Sequence, residues 1–274
     1  LKRLGFFKIP LVIASMGSFS KGALSIKSKK KMIFLNIMKK LGFFKKIVWS
    51  VTSNIEEKEL KKILGENEKC IIAEDLPRIE KISHKHKKRI NTLKIIFISR
   101  ISKKKNLEGA IDIISKMNDD SIIFDIYGYI EDAEYWEQCK KKLNMLSKKI
   151  HWNYCGECES ENVINTFSNY DVFLFPTYGE NFGHVINEAL LAGCIPIISD
   201  KTPWLDLDKH KCGRVISIYD IDAFVNAIYD FYHMEEFEFC KYIEAAHLYI
   251  QNKNKKSIQH SGYKHIFDDE GINI

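Results

Sequence analysis

The sequence predicts an α/β fold with one complete, doubly wound domain that follows a partial second domain of the same kind. Short apolar runs alternate with amphipathic stretches, most runs are apolar almost throughout, and one charged segment interrupts the series. Apolar runs of this kind are typical of parallel strands, whose two faces are both covered by helices. The chain has 274 residues, 45% of them hydrophobic, which is enough apolar material for a packed core.

The candidate strands are short and apolar. They are Leu11–Ser15, Ile47–Thr52, Cys70–Ala73, Lys94–Ser99, Ile122–Tyr127, Ile150–Asn153, Asp171–Phe175 and Ile195–Ser199. The candidate helices show an apolar stripe or a charge order that suits the helix dipole. They are Asn54–Leu64, the stripe of Leu107, Ala110, Ile111 and Ile114, Asp220–His233 and Glu236–Gln251. The pattern after Gly213 predicts mainly helices, and the polar tail after Asn252 predicts no element.

A charged stretch without periodicity, Pro77 to Thr92, is interpreted as an interdomain linker. Only about three strands precede it, whereas a complete Rossmann-like domain has six or so. We therefore expect a partial Rossmann-like domain with the linker in residues 1–90, a complete one in residues 91–252, and a tail in residues 253–274 that packs back on the N-terminal part. The first residue is Leu1 rather than Met, so we expect a piece of a longer chain.

Composition narrows the classes of partner. The formal net charge is +6, and much of the lysine lies in short runs such as Lys29–Lys31, Lys85–Lys88 and Lys103–Lys105. We interpret most runs as solvated faces or linkers, with attraction to phosphates or an acidic membrane surface as the alternative. No helix-turn-helix or RNA-binding aromatic motif accompanies them, so nucleic acid is not an expected partner. No apolar run is long enough to span a membrane.

The seven cysteines are irregularly spaced. Cys155 and Cys158 form a C-x-x-C pair, which would allow redox or metal chemistry. No second pair and no histidine pair with zinc-ligand spacing follows, so we favour reduced thiols in a cytosolic protein and expect no metal.

The segment from Asp171 to Ser199 predicts a strand, a loop, a helix and a second strand. A loop that leaves a strand end and enters a helix is where open α/β sheets bind ligands. Backbone N–H groups around Asn181–His184 would face an anion there. Glu180 and Glu188 could accept hydrogen bonds from sugar or ribose hydroxyls. Alternatively, Glu180 stabilises the first helical turn and Glu188 is a solvated helix residue.

This segment resembles glycosyltransferase family 4. The resemblance rests on the E-x7-E spacing of Glu180 and Glu188, the Phe182–Gly183 pair between them, and the run from Ala189 to Pro196. It implies a GT-B fold and a retaining transfer from a nucleotide sugar. It also implies that Glu180 contacts the donor sugar and Glu188 the donor ribose. The substrate-binding residues that it implies around the helix start are Asn181, Phe182, Gly183 and His184.

A second match lies after the strand that begins at Lys94. The family has an arginine at this strand end and a lysine five residues later, which implies that Arg100 and Lys105 hold the donor diphosphate. Lys104 is the alternative lysine, and Asn106 stands where the family usually has glycine. The resemblance also implies substrate contacts for three glycines at strand ends, which are Gly17 on the acceptor side, Gly128 near the donor and Gly156 near the nucleobase.

The resemblance thus predicts that Glu180, Arg100 and Lys105 are catalytic, that residues 1–90 lie on the acceptor side and that residues 91–252 bind the donor. The expected donor is a UDP- or GDP-sugar, with no cofactor or metal, and the expected acceptor is an envelope polysaccharide or lipid-linked glycan. The expected location is the cytoplasm, with contact to the inner membrane face left open. The alternatives are an inactive donor-binding scaffold and a phosphorylase-like enzyme. The sequence predicts no oligomeric state.

Overall fold

The computed structural model describes residues 11–16, 18–19, 28–44, 47–73, 87–117, 119 and 121–259. The chain divides into two compact units, which are Leu1–Leu76 with Lys255–Ile274 and Pro77–Asn254. Within the described ranges, no helix is long and apolar enough to cross a membrane.

The first unit contains a three-stranded parallel sheet in the order β1-β2-β3. Its elements are β1 (Leu11–Ala14), α1 (Ser28–Lys40), β2 (Ile47–Val51), α2 (Asn54–Leu64) and β3 (Lys69–Ile72). Its small core includes Trp49 and Val51 from the sheet and Leu60 and Leu64 from α2. The three strands and α2 agree with the sequence prediction, whereas α1 was not predicted.

A hydrogen-bonded cluster fixes the turn between β2 and α2. The Ser53 hydroxyl caps α2 by accepting the Glu56 N–H at 3.2 Å. The buried Glu56 carboxylate in turn accepts from the Ser15 hydroxyl at 2.6 Å and from the Thr52 N–H at 2.7 Å. Ser53 thus caps α2, and Glu56 ties the turn to the end of β1.

The second unit contains a six-stranded parallel sheet in the order β6-β5-β4-β7-β8-β9. Its strands are β4 (Leu93–Ile98), β5 (Ile122–Tyr127), β6 (Ile150–Tyr154), β7 (Val172–Phe175), β8 (Ile195–Ser199) and β9 (Arg214–Ile216). Its helices are α3 (Leu107–Ser115), α4 (Ala133–Leu143), α5 (Val163–Phe167), α6 (His184–Ala192), α7 (Ile221–Tyr232) and α8 (Glu236–Gln259). This strand order is that of a doubly wound Rossmann-like domain, so the predicted fold class is confirmed.

The strand order reverses between β4 and β7, which makes the carboxyl ends of these two strands the switch point of the sheet. A large core surrounds the sheet, and the predicted apolar stripe on α3 is buried in it. The prediction of mainly helices after Gly213 is confirmed, with the short edge strand β9 in addition. One prediction needs correction, because the last helix continues to Gln259 rather than ending at Gln251.

Lys88 contradicts the interpretation of its lysine run as solvated. Its side chain is 3% exposed, and its ammonium donates hydrogen bonds to the carbonyls of Arg89 at 2.6 Å, Thr92 at 2.7 Å and Tyr232 at 3.3 Å. Burial lowers the pKa of Lys88 from its ordinary value. Of the predicted linker, residues 77–86 lie outside the described residues.

Candidate functional site

The candidate site lies on both sides of the switch point. Lys105 ends a short 3-10 turn after β4, and Glu180 lies in the loop after β7. The Lys105 ammonium donates a hydrogen bond to a Glu180 carboxylate oxygen, and the two side chains are only 11% and 17% exposed. Of the two lysines that the sequence left open, Lys105 is the one that meets Glu180, whereas Lys104 is exposed.

Asn106 holds the two loops of this site together. Its backbone is left-handed, with φ of 58°, a conformation that glycine adopts without strain, and this accounts for the glycine usual at this position. Its side-chain N–H donates to the Pro176 carbonyl at 2.7 Å, and its side-chain oxygen caps α3 by accepting the Gly109 N–H at 3.1 Å. The Tyr178 N–H also donates to the Lys104 carbonyl at 2.9 Å.

The amino end of α6 opens on the same edge of the sheet. Gly183 caps it with φ of 80°, and a Cβ there would lie 2.8 Å from Trp204 Nε1. Trp204 needs this space because its Nε1 donates to the Phe182 carbonyl at 2.7 Å. The centroids of the Phe182 and His184 rings lie 4.4 Å apart, and the residue before them, Asn181, is exposed. The first N–H groups of a helix have no partner within it, so this end attracts anions.

The structure excludes the purely structural alternatives for Glu180 and Glu188, which were a stabiliser of the first helical turn and a solvated helix residue. Glu180 precedes α6, which begins at His184, so it does not belong to the first helical turn. Glu188 is the fifth residue of α6 and only 9% exposed, so it is not a solvated helix residue. Burying a carboxylate costs free energy unless the group is hydrogen-bonded, so the environment of Glu188 differs from that of a surface glutamate.

Arg100 has a partner that the sequence analysis missed. Its guanidinium donates to both Glu131 carboxylate oxygens, at 3.0 and 3.1 Å, because a bridge between Ile101 and Ile130 continues the β4–β5 pairing. A pocket of about 570 Å³ adjoins this pair. It is lined by Arg100, Ser102, Lys103, Lys104, Glu131, Asp132 and Ala133. The sequence does contain a signal for this ion pair, since a basic residue follows β4 and an acidic residue follows β5.

Two of the predicted glycines meet at this edge. Gly128 donates its N–H to the Gly156 carbonyl at 2.8 Å, and their φ angles are 145° and 81°. A Cβ on Gly128 would lie 1.7 Å from the Ser99 carbonyl oxygen, so only glycine fits there. Gly17 lies outside the described residues, and Met16 before it has a left-handed backbone with φ of 46°.

The C-x-x-C pair lies near Gly156 as two free thiols. Cys155 is exposed, yet partial desolvation raises the pKa of its thiol, which disfavours a reactive thiolate. In the part of the chain that the structure describes, no group of three or more His, Cys, Asp or Glu side chains could hold a metal ion.

Solved structures share this architecture. A TarM variant from S. aureus, in complex with fondaparinux, alpha-GlcNAc-glycerol and UDP, aligns with a TM-score of 0.63 and 15% identity over 80% of this chain and 43% of its own. HepE from Anabaena, in complex with UDP and glucose, aligns with a TM-score of 0.62 and 14% identity over 91% of this chain and 71% of its own. A glycosyltransferase from Rickettsia africae aligns with a TM-score of 0.61 and 16% identity over 87% of this chain and 68% of its own. No curated protein sequence matches the chain.

The doubly wound sheet and these alignments define the GT-B fold of glycosyltransferases. The family model "Glycosyl transferases group 1" matches residues 78–254, which is more than half of the sequence. The chain therefore belongs to the group 1 glycosyltransferase family. It spans less than half the length of the TarM chain that it aligns with.

Proposed function

We propose that the chain is the donor-binding part of a retaining, family 4 glycosyltransferase that moves a sugar from a UDP- or GDP-sugar to an acceptor hydroxyl. The observation that carries the proposal is the Lys105–Glu180 pair across the switch point, next to the amino end of α6. A cation for the diphosphate and a carboxylate for the sugar are thereby supplied side by side. Membership of the group 1 family supports this reading.

In this reaction, the bond between the anomeric carbon and the diphosphate oxygen breaks while a bond to the acceptor oxygen forms on the same face of the sugar. The acceptor proton passes to the leaving phosphate. Arg100, Lys105 and the amino end of α6 stabilise the negative charge that develops on the diphosphate. Glu180 orients the sugar and Glu188 binds the ribose. The scheme uses these protein cations and requires no metal.

The ion pair is compatible with donor binding. An ammonium group has three N–H donors, so Lys105 can keep its bond to Glu180 and still donate to a phosphate oxygen. A carboxylate has two oxygens, so Glu180 can accept a sugar hydroxyl on the one that Lys105 leaves open. Contact with Glu180 also fixes the flexible Lys105 side chain before the donor arrives, which lowers the entropy cost of binding.

The proposed acceptor is an envelope polysaccharide or a lipid-linked glycan, with residues 1–90 on the acceptor side and the reaction at the cytoplasmic face of the membrane. Turnover of UDP- and GDP-sugars into a glycoside product separates this enzyme from an inactive donor-binding scaffold. Tight donor binding without turnover, in a protein that carries every segment found in its relatives, would favour the scaffold.

Replacing Glu188 with alanine is expected to weaken UDP binding roughly 10–100-fold, because one or two charge-assisted hydrogen bonds to the ribose are lost. Isothermal titration calorimetry with UDP measures the change. Glu161→Ala is the matched control, since Glu161 is an exposed carboxylate just before α5. Unchanged affinity in Glu188→Ala would remove the ribose-binding role, whereas equal losses in both variants would point to a general electrostatic effect.

We also propose that α1 mediates peripheral contact with an acidic membrane surface. Ile33, Phe34 and Ile37 are 60%, 59% and 51% exposed, and they share the side of α1 opposite Leu35, which packs on the small core. The exposed Lys30 lies one turn before Ile33 and Phe34, and the exposed Lys40 follows Ile37 by three residues, so two lysines flank the apolar stripe. Apolar side chains flanked by lysines are the features that seat a helix in the interface of an anionic bilayer.

Ile33→Glu is therefore expected to reduce binding to phosphatidylglycerol-containing vesicles at least about fivefold, since it places a carboxylate in the bilayer interface. Vesicle cosedimentation measures it, with pure phosphatidylcholine vesicles as the uncharged reference. Ile55→Glu is the matched control, because Ile55 is 72% exposed on α2 of the same unit. The proposed membrane contact would be contradicted if the wild-type chain did not bind anionic vesicles. It would also be contradicted if the stripe instead mediated self-association in solution.

A further inference from the structure

A second concave pocket lies at the opposite edge of the six-stranded sheet, where β4, β5 and β6 begin. Its volume is about 820 Å³, within the range of small-molecule sites. It is lined by Lys87, Arg89, Thr92, Leu93, Lys94, Ser121, Ile123, Lys148, Lys149 and His151. We call it the basic pocket, because five of these side chains are cationic and none is acidic.

The floor of the basic pocket is one face of the sheet. Lys94 pairs in register with Ile123 on β5, and Ile123 pairs with His151 on β6, so these three side chains form a row across three adjacent strands. The rigid sheet thus fixes the spacing between Lys94 and His151. Preorganised groups bind a ligand with a smaller loss of conformational entropy than mobile ones do.

The rim of the basic pocket is held by the buried Lys88. Its ammonium donates to three carbonyls, including those of Arg89 and Thr92, and so fixes the segment before β4. The Asn91 N–H also donates to the Tyr232 carbonyl at 3.0 Å. With Lys88 turned inward, its neighbours Lys87 and Arg89 are exposed.

Four of the five cations that line the basic pocket lack a carboxylate partner in the part of the chain that the structure describes. Among the described residues, Lys87, Arg89, Lys94 and Lys148 have no ion pair with a carboxylate. The buried carboxylate of Asp171 accepts the backbone N–H of Lys94, at 2.8 Å, and does not line the pocket. Clustered like charges repel one another, so a bound anion would stabilise this arrangement.

We propose that the basic pocket binds an anion with two or more linked phosphate groups and no nucleobase. Several cations in one concavity match several phosphates, because charge-assisted hydrogen bonds to phosphate oxygens are strong. Among the described residues that line the pocket none is Phe, Tyr or Trp, and His151 supplies the one small ring, so the large aromatic surfaces on which bases stack best are missing. It lies at the starts of the strands, whereas Lys105 and Glu180 follow their ends, so both sites can be occupied at once.

Titration calorimetry with inorganic tripolyphosphate tests the proposal. Lys94→Ala/Lys148→Ala is expected to raise the Kd at least about tenfold, while UDP binding stays unchanged. The control Lys140→Ala/Lys141→Ala removes the same charge from α4 and should leave the Kd of tripolyphosphate within about twofold. Equal weakening in both double variants would show a nonspecific charge effect and overturn the proposal.

Tripolyphosphate could also enter the donor site, and Lys105→Ala separates the two sites. Binding that persists in Lys105→Ala and is lost in Lys94→Ala/Lys148→Ala supports the basic pocket even if no nucleotide sugar binds. Binding that disappears in Lys105→Ala, or that is not saturable in the wild-type chain, overturns the basic pocket and leaves the proposed donor site untouched.

Discussion

Replacing Lys105 with alanine is expected to lower the rate of sugar transfer by roughly 100–1000-fold, the usual cost of removing one preorganised group that stabilises developing charge. The same substitution should weaken UDP binding by about 10–100-fold, because a charged hydrogen bond to phosphate is lost. Lys105 is nearly buried beside Glu180, so solvent cannot replace its charge well. Initial rates and titration calorimetry measure the two effects.

Lys104→Ala is the matched control, because Lys104 is the preceding residue, carries the same charge and is exposed. Lys105→Ala also leaves the Glu180 carboxylate without its cation, which costs stability. The double variant Lys105→Ala/Glu180→Gln removes that charge, so a defect that persists at normal thermal stability belongs to the site. An equal loss in Lys104→Ala, or full activity of Lys105→Ala, would contradict the assignment of the diphosphate contact to Lys105.

Gly128→Ala is expected to destabilise the second unit by about 2–5 kcal/mol, since the new methyl group meets the Ser99 carbonyl oxygen and the backbone conformation disfavours any side chain. Thermal and urea unfolding measure the change. Gly156→Ala separates the two causes, because its φ is also positive but no atom lies within 4 Å of the added Cβ. It should cost only about 1–2 kcal/mol. Equal destabilisation in the two variants would contradict the steric argument.

The second unit was largely predictable from the sequence, because its central strands β4, β7 and β8 are nearly continuous apolar runs. The spans of β5 and β8 agree with prediction to the residue. Parallel strands covered on both faces bury nearly every side chain, so the signal does not depend on knowing which face is inside. The loops at the strand ends were predictable for the same reason, since they follow wherever an apolar run stops.

The elements that escaped prediction give a weaker or inverted signal. Strand β9 has only three half-buried residues at the sheet edge, too few for an apolar run. Helix α1 turns Ile33 and Ile37 outward, so its apolar positions do not mark the core side. The burial of Lys88 depends on carbonyls distant in sequence, such as that of Tyr232, which no local pattern can supply.

The sequence indicated which residues form the candidate site, but their contacts could be assigned only from the structure. Charge pattern alone does not distinguish Lys104 from Lys105, because the decision depends on a single 3-10 turn. The contact of Arg100 Nη1 with both Glu131 carboxylate oxygens likewise depends on β4 and β5 being neighbours in the sheet. Spacing along the chain carries no direct information on such contacts between strands.

Asn106 has a mechanical consequence. Its side-chain amide donates a hydrogen bond to the Pro176 carbonyl, and its backbone directly follows Lys105. The hydrogen bond therefore couples the position of Lys105 to that of the loop after β7. A ligand that pulls on Lys105 must move the loop of Glu180 with it. If the proposed donor site is correct, adaptation to donors of different size would fall to Arg100, which is exposed and contacts only the exposed Glu131 in the ion pair described above.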